Sequence, residues 1–166
     1  IKVHDPGAQV RLVYIDDVVN ELISCLEEGD DKRERFPEIS EIYETTVGEV
    51  AERILSFKRG RDSLEIPDIE DSLGKKLYST YLSYLKPQDF SYKLKMNQDP
   101  RGSFTEFLHF NNLGQISVNV TKPGIVKGNH WHHTKVEKFL VVKGTALIRF
   151  RHMVTGEEAE HMVSGE

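Results

Sequence analysis

The feature that most constrains this chain is a change of hydrophobic period along it. Up to about residue 85 the apolar side chains recur at helical spacing, and beyond about residue 100 they alternate. A helix buries one stripe at a period of about 3.6 and a strand buries one face at a period of two. One segment cannot satisfy both. The expected fold is therefore α+β by segments, a helical piece followed by an all-β piece. The break falls at 86–100, where Pro87-Gln-Asp and Asn97-Gln-Asp-Pro100 interrupt both patterns.

In the helical piece, Val10 to Ile15 is a short apolar run interrupted by Arg11. Asp16 is placed to cap a helix whose apolar positions are Val18, Val19, Leu22, Ile23 and Leu26, with Gly29 as its stop. Cys25 falls within that pattern and is expected in the core. A charged loop, Glu28 to Arg35, follows. Thr46-Val-Gly-Glu49 has the form of a capping box and predicts a second helix. Its buried stripe is Val47, Val50, Ala51, Ile54 and Leu55, and Lys58, Arg59 and Gly60 end it. The acidic stretch 61–72 reads as a loop. A third helix, about Leu73 to Leu85, stops at Pro87.

In the β piece, Ser103–Phe110, Gln115–Thr121, Phe139–Val142, Thr145–Arg151 and Ala159–Val163 are strand candidates. Turn signals separate them at Asn111-Asn-Leu-Gly114, Pro123-Gly124, Lys143-Gly144 and Thr155-Gly156. The net charge of −5 offers no basic footprint, so nucleic acid is not an expected partner. No apolar run approaches a membrane span, and the lone cysteine suits a reducing cytoplasm. The chain begins with Ile1 and ends at Glu166 in a strand-like pattern, so it reads as a piece of a longer protein.

The chemistry concentrates in Gly124 to Gly144. His130 and His132 are one residue apart, and on a strand such neighbours point to one face. Glu137 follows past a short Thr-Lys turn, at the head of the Phe139–Val142 run. A hairpin of this form would aim two imidazoles and a carboxylate into one pocket, a ligand set for a first-row metal with a position left open. His133 and Trp131 should point the other way, Trp131 against the outer wall. Asp99-Pro-Arg101-Gly-Ser-Phe104-Thr-Glu106 opens the β region and by pattern alone is an edge strand with an Arg and a Glu.

The spacing Gly-x5-His-x-His-x4-Glu-x6-Gly resembles the first motif of the cupin superfamily, a double-stranded β-helix barrel. That resemblance implies that 89–166 is the N-terminal part of a cupin domain. Metal ligands would be His130, His132 and Glu137, and a further histidine of the family's second motif is not in this chain. The Arg101-Gly-x-Phe104-x-Glu106 element resembles that of nucleotide-sugar 3,5-epimerase-type cupins, implying substrate binding by Arg101, Phe104 and Glu106, with Arg101 on the diphosphate. His132, His133 and Lys135 are the implied candidates for catalytic base or electrostatic helper.

Arg11-Leu-Val-Tyr14-Ile-Asp16-Asp17-Val18 resembles a late segment of extended short-chain dehydrogenases/reductases, in which the Arg reaches the substrate diphosphate. This makes 1–88 the C-terminal part of an α/β, Rossmann-type reductase domain. The dinucleotide loop and the Tyr-x-x-x-Lys pair of that family are not in this sequence. The two pieces in this order resemble bifunctional capsular polysaccharide enzymes that fuse a reductase to a cupin. The implied activity is C3 epimerisation of a UDP-2-acetamido-2,6-dideoxy-4-ketohexose, with zinc in the cupin, then NADPH-dependent reduction at C4 toward UDP-N-acetyl-L-fucosamine. A cytoplasmic homodimer acting on a UDP-sugar is implied, and the piece alone should be inactive. Two rival readings stand beside this one. The first is a metal-dependent cupin isomerase or oxygenase of a small molecule. The second is a non-catalytic sugar-nucleotide-binding or dimerisation cupin.

Overall fold

The computed structural model describes residues 2–27, 39–110 and 114–166. They form two compact units, one running to Ile125 and the other from Val126 to Glu166. The elements are mixed helix and sheet: two short strands are interleaved with the helices of the first part, and from Met96 onward the regular elements are all strands.

The first unit opens with β1 (Gln9–Leu12), which pairs antiparallel with β2 (Tyr43–Thr46). β1 is shorter than the apolar run because α1 (Ile15–Glu27) starts at its end. Asp16 is not the cap expected of it. The Tyr14 carbonyl accepts the first helical bonds, from the amides of Asp17 and Val18. Asp16 and Asp17 instead sit in the first turn, where carboxylates face the positive end of the helix dipole. The apolar stripe is present but uncovered, with Val19, Leu22, Ile23 and Leu26 all exposed. Cys25 is only half-buried, its Sγ 4.0 Å from Glu21 Oε1. Gly29 and the charged loop Glu28–Arg35 lie outside the described residues.

The Thr46 capping box forms as written. The Thr46 hydroxyl accepts from the Glu49 amide at 3.1 Å, and the Glu49 carboxylate accepts from the Thr46 amide at 3.0 Å. α2 (Val47–Ser63) then runs past Lys58-Arg59-Gly60 and ends at Leu64, whose φ of +63° is left-handed. Its inward residues are Ala51 and Phe57, while Leu55 is exposed. Phe57, 2% exposed, packs edge-on against Tyr78 at 5.1 Å and against Tyr81 at 5.8 Å. Both tyrosines belong to α3 (Ser72–Ser83), which Asp71 caps through the Gly74 amide.

Lys76 of α3 ties this unit together. Its ammonium donates to Asp17 and Glu41 at 2.6 Å each and to the Tyr43 hydroxyl at 2.8 Å, and it lies over the rings of Tyr14 and Tyr43. Hydrogen bonding to Lys76 first, then to Tyr43 and Ser72, holds the Glu41 carboxyl at about 2.

The larger sheet of the first unit has the order β3 (Met96–Asp99), β4 (Gly102–Phe110) and β5 (Gly114–Thr121), all antiparallel. The β4–β5 register runs from Gly102 opposite Thr121 to Phe110 opposite Gly114, with a bulge between Glu106 and Leu108. The helical segment reaches this sheet directly. The His109 amide donates to the Leu64 carbonyl at 2.8 Å, and the Ile66 amide to the His109 carbonyl at 3.2 Å. Residues 111–113 of the expected Asn111-Asn-Leu-Gly114 turn lie outside the described residues.

The second unit contains the hairpin β6 (Gly144–Arg151) and β7 (Glu158–Gly165), in register from Gly144 opposite Gly165 to Arg151 opposite Glu158. Before it, residues 126–143 form no strand. The expected strand Phe139–Val142, and with it a hairpin carrying His130 and His132, is therefore corrected to an irregular loop. Gly128 and Asn129, with φ of +102° and +60°, turn the chain before the histidines. Left-handed residues do not propagate a ladder.

A candidate metal centre

The loop still brings the expected ligands together. Gly128 supplies a conformation that side chains rarely adopt, and Asn129, a residue that tolerates the left-handed region, completes the turn. Arg151 at the end of β6 donates to Asn129 Oδ1 at 3.0 Å, fixing the turn to the hairpin. From it emerge His130 and His132, their rings 4.8 Å apart and edge to face. His132 Nε2 stands 3.5 Å from Glu137 Oε1. Two ligands bound tetrahedrally at zinc distances are about 3.3 Å apart, so this pair is close to ligating separation. Imidazole nitrogen and carboxylate oxygen are also the donor chemistry that zinc and its neighbours accept. Among the described residues, no three side chains of His, Cys, Asp or Glu stand ready-spaced around a metal.

Lys135 completes the cluster. Its ammonium is 2.8 Å from Glu137 Oε1. That hydrogen bond chiefly, then the charges of Lys135, His132 and His130, hold the Glu137 carboxyl below the ordinary carboxylate range. His133 Nε2 accepts from Trp131 Nε1 at 3.2 Å. Trp131 is 60% exposed and does not pack against a wall.

The other candidates lie in the first unit. Arg101 is clasped by Asp99, which accepts from Nε at 2.9 Å, from Nη2 at 2.6 Å and from the Arg101 amide at 2.7 Å. Gly102, beside it, has φ of +142°. Phe104 and Glu106 alternate along β4 onto one face, opposite Asn119 and Ser117, with Glu106 Oε1 3.9 Å from His109 Nδ1. Arg11 on β1 pairs with Glu44 at 3.5 Å, both side chains largely exposed. Three residues around these sites escaped sequence reasoning: Asn129, Arg151 and, as the partner of Arg101, Asp99. The Gly128-Asn129 doublet is a turn signal that could have marked the first.

Solved structures resemble this chain over nearly its whole length. The capsular polysaccharide assembling protein CapF from Staphylococcus aureus superposes with a TM-score of 0.83 at 47% identity, over 99% of this chain and 45% of that one. The chain is CapF-like. A second CapF structure, with the inhibitor 3-isopropenyl-tropolone, matches with a TM-score of 0.85 at 47% identity, over 99% of this chain and 48% of that one. Among curated proteins, the UDP-2-acetamido-2,6-beta-L-arabino-hexul-4-ose reductase of Pseudomonas aeruginosa is 40% identical over 166 residues, all of this chain and 44% of the relative. Residues 97–166 match the polysaccharide biosynthesis C-terminal domain family. The chain thus spans about half the length of CapF and of the reductase. No helix among the described residues is long and apolar enough to cross a membrane.

Proposed function

We propose that this chain belongs to a nucleotide-sugar enzyme of capsular or surface polysaccharide biosynthesis. In this reading residues 1–88 are the end of a reductase domain and 89–166 the first part of a cupin. The substrate is a UDP-2-acetamido-2,6-dideoxy-4-ketohexose. The cupin inverts C3, and the reductase domain, whose NADPH site lies outside this chain, reduces C4 to give UDP-N-acetyl-L-fucosamine. The enzyme acts in the cytoplasm as a homodimer. The observation that carries the reading is the convergence of His130, His132 and Glu137 within one loop, His132 and Glu137 at 3.5 Å.

The chemistry follows from the ketone. A proton on C3 is acidic because its removal delocalises charge onto the C4 oxygen. Removal from one face and return to the other inverts the centre. His130, His132 and Glu137 would hold zinc, which when bound supplies positive charge for that oxygen. An imidazole is the group suited to moving the proton near neutrality. His133, oriented by Trp131, and Lys135 are the neighbouring candidates. Arg101, preset by Asp99, and Arg11 would grip the diphosphate, with Phe104 and Glu106 on the adjoining strand face.

The test is the stereochemistry of the product. The full-length protein is given the UDP-4-ketosugar and NADPH, and C3 of the product is read by NMR. Wild type is expected to invert C3, and His130→Ala with His132→Ala to reduce C4 with C3 retained. Inversion by the double variant would refute the assignment.

A further inference from the structure

The oxygen of Glu137 that faces His132 is already claimed. Glu137 Oε1 stands 3.5 Å from His132 Nε2, and the same atom accepts from Lys135 Nζ at 2.8 Å. A cation bound between His132 and Glu137 would use that oxygen. Turning the carboxylate to offer Oε2 would carry Oε1, with its lysine, away from the imidazole. An ammonium and a divalent cation cannot share one oxygen at bonding distance without strong like-charge repulsion.

We propose that Lys135 is an internal competitor for the metal, its ammonium holding the Glu137 carboxylate until a divalent cation displaces it. The inference rests on His130, His132 and Glu137 being the metal-holding set. Lys135 is suited to the part by position. It lies two residues from Glu137 in an irregular loop, and its side chain is half exposed, so release returns it to water at small cost. It also explains why imidazoles and carboxylate converge without standing ready-spaced around a metal among the described residues.

The alternative role has the opposite consequence. If Lys135 served to hold Glu137 toward His132, its removal would loosen the cluster and weaken metal binding. A partly exposed ion pair of this kind is worth a factor of about two to five in an equilibrium constant. Relief of repulsion with the incoming cation adds to it, so removal of the charge should tighten binding about three- to tenfold.

The experiment is a competition titration of zinc chloride against a chromophoric chelator. It uses the full-length protein as wild type, Lys135→Met, Lys135→Gln and Lys135→Arg, with Lys143→Met as a control for charge alone. Both neutral variants are expected to bind zinc about three- to tenfold more tightly than wild type. Lys135→Arg and Lys143→Met should stay within about twofold of it. The gain should shrink in 0.5 M salt, where the exposed pair is screened to within about 4 Å. Equal or weaker binding by both neutral variants would overturn the competitor role while leaving the metal site standing. No zinc binding by wild type above that of His130→Ala with His132→Ala would overturn the metal site and the inference together.

Discussion

Gly102 is the residue at which the β sheet can be tested most sharply. Its φ of +142° belongs to a region that only glycine visits freely. An added Cβ would stand 1.9 Å from the Val120 carbonyl oxygen and 2.9 Å from its carbon, on the strand paired with it. Backbone atoms cannot yield as a side chain tip can, so β4 and β5 must part by more than about 1 Å at this end. The conformational cost is about 1–3 kcal/mol. Losing one or two ladder hydrogen bonds adds about 1 kcal/mol each, so Gly102→Ala should cost about 2–5 kcal/mol in total. Gly114 is the internal control. Its φ of +126° is comparable, but no atom of the described residues lies within 4 Å of where its Cβ would stand. Gly114→Ala should therefore carry the conformational cost alone, about 1–3 kcal/mol. Urea unfolding followed by far-ultraviolet circular dichroism measures both. Equal losses for the two variants would refute the steric argument. Because Arg101 precedes Gly102, the first variant should also lose the Arg101–Asp99 clasp.

Three further expectations follow from the helical segment. Thr46→Ala removes the hydroxyl that accepts from the Glu49 amide and should cost about 1 kcal/mol in urea unfolding; no change would show the box idle. Phe57→Ala empties the most buried aromatic position against Tyr78 and Tyr81. It should cost about 3–4 kcal/mol, measured the same way, and a loss below about 1 kcal/mol would contradict the packing. Glu41, held at about 2 against an ordinary 4.5 by Lys76, Tyr43 and Ser72, is a depressed carboxylate. Its stabilisation is full above pH 4.5 and is lost as pH falls toward 2. Lys76, raised by Asp17 and Glu41, stays charged across that window. Glu41→Gln should flatten the acid limb of a stability–pH profile between those values, and an unchanged limb would contradict the network.

What could be read in advance was local. The Thr46-to-Glu49 box depends on four consecutive residues, and it forms as written. β4, β5, β6 and β7 were legible because each alternates over eight or nine residues and ends at a turn signal. β2 was not, since Tyr-Glu-Thr-Thr carries no apolar alternation and exists only through pairing with β1. Periodicity marked the stripe of α2 but could not say which edge meets α3, so Leu55 was included and Phe57 missed. The apolar stripe of α1 was visible, but not that it stays uncovered. At the candidate site spacing suggested that His130, His132 and Glu137 lie near one another, and they meet pairwise, His130 with His132 and His132 with Glu137. The hairpin invoked to produce it was not, because successive left-handed residues at Gly128 and Asn129 carry the chain instead. The clasp of Lys135 on Glu137 and of Asp99 on Arg101 are side-chain choices among several charges nearby. Sequence spacing does not rank them.

The central claim is that proton chemistry at C3 occurs in the His130–His132–Glu137 loop. The most direct measurement is deuterium wash-in at C3 of the UDP-4-ketosugar, followed by NMR in heavy water without NADPH. It compares full-length wild type with His130→Ala combined with His132→Ala. Exchange in the wild type and none in the double variant is the expected result. Exchange that persists in the variant would contradict the claim and leave the loop a binding element.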